Sequence, residues 1–216
     1  MEIGLRWSLF VAASGSARVG ARGHVWAPDW YVLPILSLGL LWFVLVAGRG
    51  RLVGAIAAVC AFGLWLQTQR PEVLVADSGA LMGVLGEQGR ALSKARGSGF
   101  VAGIWLENDG APVAQDQAAS REGLRTEGRV TEATVGGWRV LQVSGKTALA
   151  DLAGCDGADI LISNQEDDIE RPCAVYDLAR LRNTGALAFN LAANGDLVID
   201  TAHHWSGQRP WNMRQG

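Results

Sequence analysis

Residues 30–47 read "WYVLPILSLGLLWFVLVA", 18 positions without a charge. An amphipathic helix of a soluble protein keeps a polar stripe at a 3.6-residue period. This block has none, so it predicts a helix close to the ~20 residues that cross a bilayer core. "GRGR" (48–51) interrupts it, and residues 52–69, "LVGAIAAVCAFGLWLQTQ", form a second uncharged block. That block is short but sufficient if Arg51 and Arg70 snorkel at its ends. Together the two predict a membrane helical hairpin, with Trp30, Tyr31, Trp42 and Trp65 near headgroup depth. Upstream, "MEIGLRWSLFVAASGSA" predicts an amphipathic surface helix carrying Arg6 and Trp7, or a short signal peptide.

After Arg70-Pro71 the pattern turns to short alternating runs. "EVLVAD" (72–77), "ALMGVLG" (80–86) and "RALSKA" (90–95) predict strands, punctuated by "SG" and "EQG". "SGFVAGIWLEND" predicts a helix capped by Ser98, with Phe100, Ile104 and Trp105 towards one face. Residues 110–132 are polar and irregular and predict a long surface excursion with one helical turn. Arg121, Arg125 and Arg129, four apart, would line one face of a helix there, as a solvated stripe or a weak phosphate-binding patch.

"GWRVLQVSG" (137–145) then predicts a strand, "KTALADLAG" a helix ended by Gly154, and "GADILISN" (157–164) a strand buried on both faces. "CAVYDLARL" predicts a strand followed by a helical turn, or strand throughout. "GALAFNLAANGDLVIDTA" predicts a hairpin turning at Asn194-Gly195. The organisation expected is therefore 1–28 juxtamembrane, 29–70 hairpin and 71–216 a soluble mixed α/β domain.

Charge separates the same parts. The formal net charge is −2, but residues 1–70 hold six basic and two acidic side chains, a balance of +4, and the rest carries −6. Arg49 and Arg51 at the tight loop predict a cytoplasmic loop and a soluble domain on the opposite side, although Arg6, Arg18 and Arg22 favour the reverse. A domain at −6 with dispersed positive charge argues against binding nucleic acid on its own.

Candidate chemistry is sparse. The chain has His24, His203 and His204, and adjacent residues of a strand point to opposite faces, so a zinc set of three or more ligands is not expected. Cys60 reads as membrane-helix packing. Cys155 and Cys173 predict either a disulfide, in an oxidising compartment, or two buried thiols. "EDDIE" (166–170) reads as a solvated loop or a weak divalent-cation site. Neither Gly-x-x-x-x-Gly-Lys-Ser/Thr nor Gly-x-Ser-x-Gly occurs. No catalytic, metal or cofactor-binding residue is assigned.

In order, "LWLQTQRPEVLVADSGALMGVLGEQGRAL", "AGC" with "ADILIS", "RPCAVYDLARLRNTGALAF" and the terminal "WSGQRPW" resemble the C-terminal part of ComEC-type competence proteins in their alphaproteobacterial form. The resemblance runs from about residue 30 to residue 211. It implies an inner-membrane protein taking part in uptake of single-stranded DNA, and the loop charges given above would put its soluble domain in the periplasm. It also implies a metallo-β-lactamase-like fold, here degenerate, because the family's His-x-His-x-Asp-His motif has no counterpart. Trp205 and Trp211 would then be packing anchors of a closing strand and tail. The family's polytopic channel domain is the partner this reading requires, and contact with single-stranded DNA is expected only within that assembly. The alternatives are a zinc hydrolase of the metallo-β-lactamase type and an anchored envelope domain that binds a protein.

Overall fold

The computed structural model describes residues 2–16 and 25–207. The expectations for Arg18, Arg22, His24 and Trp211 lie outside the described residues. The chain begins with α1 (Glu2–Ser16), followed by α2 (Val32–Leu45), a 3-10 turn (Gly48–Gly50) and α3 (Arg51–Leu66). Then come β1 (Val73–Val75), β2 (Met82–Gly86), β3 (Gly89–Leu92), α4 (Gly99–Asn108) and α5 (Gln115–Ala119). After these run β4 (Arg125–Glu127), β5 (Val130–Val135), β6 (Trp138–Val143), α6 (Lys146–Asp151) and β7 (Ile160–Ser163). The chain continues through β8 (Ala174–Tyr176), α7 (Leu178–Thr184), β9 (Leu187–Leu191), β10 (Leu197–Thr201) and α8 (Ala202–Ser206).

The apolar blocks form a helix pair, and glycine sets how close its members come. A Cβ on Gly54 would lie 2.5 Å from the Gly39 carbonyl oxygen and 2.6 Å from the Phe43 nitrogen. Gly54, Ala58 and Ala61 make the buried stripe of α3, a small-residue seam of the kind that lets helix backbones touch. Larger side chains, Leu41, Val44, Leu45, Val53, Ile56 and Val59 among them, point outward. The expected break is present: α2 ends at Leu45 and Val46 and Ala47 are extended, after which "GRGR" coils as a 3-10 turn that feeds α3, where Arg51 stacks over Phe43 at 4.2 Å. The continuous run Gly48–Leu66, 19 residues, is long and apolar enough to cross a membrane, whereas Val32–Leu45 is shorter, about 21 Å at 1.5 Å per residue. Cys60 does not pack in the seam; it is exposed on the outer side of α3.

The remainder is mixed α/β, with two five-stranded sheets. One, ordered β10-β9-β1-β2-β3, is antiparallel throughout. The other, β4-β5-β6-β7-β8, starts antiparallel and becomes parallel at β6-β7-β8. Strand alternation sends Val73, Val75, Met82, Val84 and Phe189 of the first sheet against Val140, Ile160, Ile162 and Tyr176 of the second, forming the main core. Opposite faces take helices. Leu92 packs with Ala102 and Leu106 of α4 and Ala118 of α5, and Leu141, Val143 and Leu161 pack with Leu149 of α6. The layers therefore run helix, sheet, sheet, helix. β7 is buried at all four positions because both its faces are covered.

Several expectations need correction. Residues 110–132 are not one loose excursion: they hold α5, β4 and the first residues of β5. The arginines in it share no helix face, since Arg121 donates to the Arg90 carbonyl, Arg125 lies in β4 and pairs with Glu127, and Arg129 sits before β5 beside Gly145. α6 stops at Asp151, short of Gly154. Ser98 precedes α4 but in a left-handed conformation, and its side chain makes no capping bond. Phe100 and Ile104 do share a face of α4, but it is the exposed one; Ala102 and Leu106 face the sheet.

On β5, Glu132 accepts a 2.7 Å bond from Arg139 of β6, and this bond, ahead of the guanidinium's charge, holds its carboxyl below the ordinary glutamate range. A folded-state pKa lowered in this way stabilises the fold fully above the unfolded value and loses the contribution as pH falls through the folded one. Thermal unfolding followed from neutral pH down to about pH 3 should therefore show Arg139→Gln losing less stability with acid than the native chain. Parallel pH profiles would contradict this.

Candidate functional site

The hairpin and the sandwich are joined by a polar knot. Residues 25–29 run beside the end of α4, where Trp26 bridges to Asp109 and the Ala27 amide donates to the Asn108 carbonyl at 2.8 Å. The Trp65 indole near the end of α3 donates to the Trp26 carbonyl at 3.0 Å, and the Trp26 indole donates back to the Trp65 carbonyl at 3.4 Å. Gly110 follows α4 at φ 72°, and a Cβ there would stand 2.8 Å from the Trp26 nitrogen, so only glycine lets the segment in. Arg70, leaving the hairpin, donates to the Asp109 carbonyl at 3.2 Å and lies 5.9 Å from the Trp26 ring centre.

Beneath this knot Arg90 of β3 is wholly buried. Its guanidinium binds both carboxylate oxygens of Asp109, at 2.6 and 3.2 Å, and donates to the carbonyls of Pro71 and Gly83. One guanidinium thus fastens the exit from the hairpin, strand β2 and the end of α4, and no donor is left to solvent.

Above it opens a cavity of about 620 Å³, within the range of small-ligand sites. Its floor is the outer face of the first sheet at Leu74, Ala188, Asn190 and Asp200; its walls are Ile104 and Trp105 of α4, Trp205 of α8 and residues 68–71. Asp29 reaches it from the start of the hairpin, accepting bonds from Tyr31 at 3.0 Å and Thr68 at 3.4 Å. Asp200 accepts from the Asn190 amide at 2.8 Å. Arg90 and Asp109 neutralise one another, while Arg70, Asp29 and Asp200 belong to no ion pair among the described residues. The cavity therefore presents one cation and two carboxylates beside aromatic and aliphatic walls.

The residues singled out from the sequence lie elsewhere or play other parts. Cys155 and Cys173 are joined in a disulfide, Cα to Cα 6.2 Å, tying the turn after α6 to the start of β8. "EDDIE" is not simply a solvated loop. Asp167 is buried in a 2.5 Å pair with Arg171, which also donates to the carbonyl of Leu149 within α6 and to those of Leu152 and Gly154 just beyond it. Closing an 18-residue separation restricts the unfolded chain, so reduction should cost about 3 kcal/mol. Thermal unfolding with and without a reductant checks this, and Cys155→Ser should match the reduced form.

His203 and His204 sit on the short helix α8, not on a strand end. His203 Nδ1 lies 2.7 Å from the Asn183 carbonyl, and His204 meets the Trp205 ring edge-on. Trp205 is 69% exposed and so anchors no packing. Among the described residues no group of three or more His, Cys, Asp or Glu side chains is placed to hold a metal.

No family model, curated protein or solved structure matches this chain. Sequence reading missed Arg90, Asp109 and the cavity. The available signal was alternation in β3, which puts Arg90 on the same face as the buried Leu92.

Proposed function

We propose that this chain is the membrane-anchored carboxy-terminal module of a ComEC-type DNA-uptake system, working without catalysis beside a polytopic channel domain in the bacterial inner membrane. The observation that carries the reading is the union of an apolar, glycine-seamed hairpin with a two-sheet body through buried polar bonds. Such a joint fixes how the body stands over lipid, which a module completing a channel needs and a freely tethered domain does not. The helix, sheet, sheet, helix layering supports a metallo-β-lactamase-like sandwich as the fold, and the ordered sequence resemblance supports the assembly. The disulfide fits an oxidising, periplasmic side for the body, as does the arginine-bearing turn at the other end of the hairpin.

The test is genetic. Deleting the gene in its native cell should abolish transformation by added DNA, with recovery by the full chain and not by a Gly54→Leu variant. Undiminished transformation in the deletion strain would overturn the proposal. Zinc bound one to one by the purified chain would favour the hydrolase reading instead.

A further inference from the structure

We infer that the cavity at the base of the hairpin binds the headgroup of a phospholipid bearing a primary ammonium, of the phosphoethanolamine class. This assignment rests on the hairpin lying in lipid. In that setting the cavity falls at the depth of the headgroups, because it is bounded by Asp29 and residues 68–71, the two points where the chain enters and leaves the hairpin.

Charge and shape then select the ligand. Arg70 offers a guanidinium whose one hydrogen bond among the described residues goes to a carbonyl, and it matches a phosphate. Asp29 and Asp200 are carboxylates without a cationic partner among the described residues, and they match an ammonium that can donate hydrogen bonds. A purely anionic headgroup would satisfy Arg70 and leave both carboxylates facing negative charge. A trimethylated ammonium carries the charge but no N–H to donate. The exposed Ile104 and Trp205 at the wall, with Phe100 one turn along α4 and 82% exposed, offer the apolar surface that the first acyl carbons need. An indole at headgroup depth is also in its preferred place.

The experiment titrates the full chain, purified in a mild detergent, with short-chain phosphatidylethanolamine, phosphatidylcholine and phosphatidylglycerol, following tryptophan fluorescence. The ethanolamine lipid should saturate and bind about tenfold more tightly than either of the others, the difference expected from one charge-assisted hydrogen bond. Asp200→Asn, nearly isosteric, should erase the preference for ethanolamine over choline, and Trp205→Ala should weaken all three lipids together. Soluble phosphoethanolamine without acyl chains should bind more weakly than the lipid; equal affinity would reassign the site to a free metabolite and overturn the lipid claim. So would tighter binding of phosphatidylglycerol, or an ethanolamine preference that survives Asp200→Asn. Flotation of the chain with liposomes reads the underlying premise separately: a chain that floats but shows no headgroup preference sinks this inference alone, and one that does not float sinks the hairpin reading with it.

Discussion

Gly54→Leu should cost more than the ~3 kcal/mol at the top of the usual overpacking range. The added side chain would begin 2.5 Å from the Gly39 carbonyl and 2.6 Å from the Phe43 nitrogen, both backbone atoms of the facing helix. A flexible side chain could swing away; a helix backbone can only retreat as a whole and open the seam made by Gly54, Ala58 and Ala61. Trp65 and the entry segment at Trp26 would then part, because their reciprocal bonds span the hairpin's base. Thermal unfolding in detergent is the readout. Gly63→Leu is the matched control, since nothing stands within 4 Å of its Cβ and leucine is the better helix former. It should leave the melting temperature unchanged or raise it. Equal effects of the two would remove the seam from the account.

Arg90→Met should destabilise the chain by about 3–5 kcal/mol, the cost of leaving one member of a buried ion pair alone. Asp109 would keep its carboxylate in a site almost closed to water, and the carbonyls of Pro71 and Gly83 would lose their donor. The double variant Arg90→Met with Asp109→Leu should recover part of the loss by removing the orphaned charge, but not the part owed to the carbonyls. Denaturant titration of the three variants separates these terms. A single variant within about 1 kcal/mol of the native chain would mean that water already reaches the pair.

The parts legible in the sequence were those with long or regular patterns. Two uncharged blocks announced the helix pair, and alternation around Asn194-Gly195 announced β9 and β10, with Gly195 at φ 88° in the turn. β7 was legible because a strand covered on both faces is buried throughout, and its first three positions, Ile160, Leu161 and Ile162, are all apolar. The rest depended on partners distant along the chain. β4 is three exposed polar residues, and only pairing with β5 makes it a strand. α8 is five residues whose start is set by the Thr201 hydroxyl accepting from the His204 amide, too short to show a period. Arg90 and Asp109 are 19 positions apart, and either alone looks like an ordinary surface charge. The cavity belongs to six separate segments, and no local motif could have announced it.

The most direct test of the central claim uses the single free thiol of the native chain. Cys60 lies midway along α3 on its outer, exposed side, while Cys155 and Cys173 are bonded to each other. If the hairpin crosses lipid, a membrane-impermeant maleimide added to sealed vesicles should leave Cys60 unmodified and should label it once detergent and denaturant open the bilayer. Full labelling in intact vesicles would show that α3 faces water, and the membrane assignment would fail.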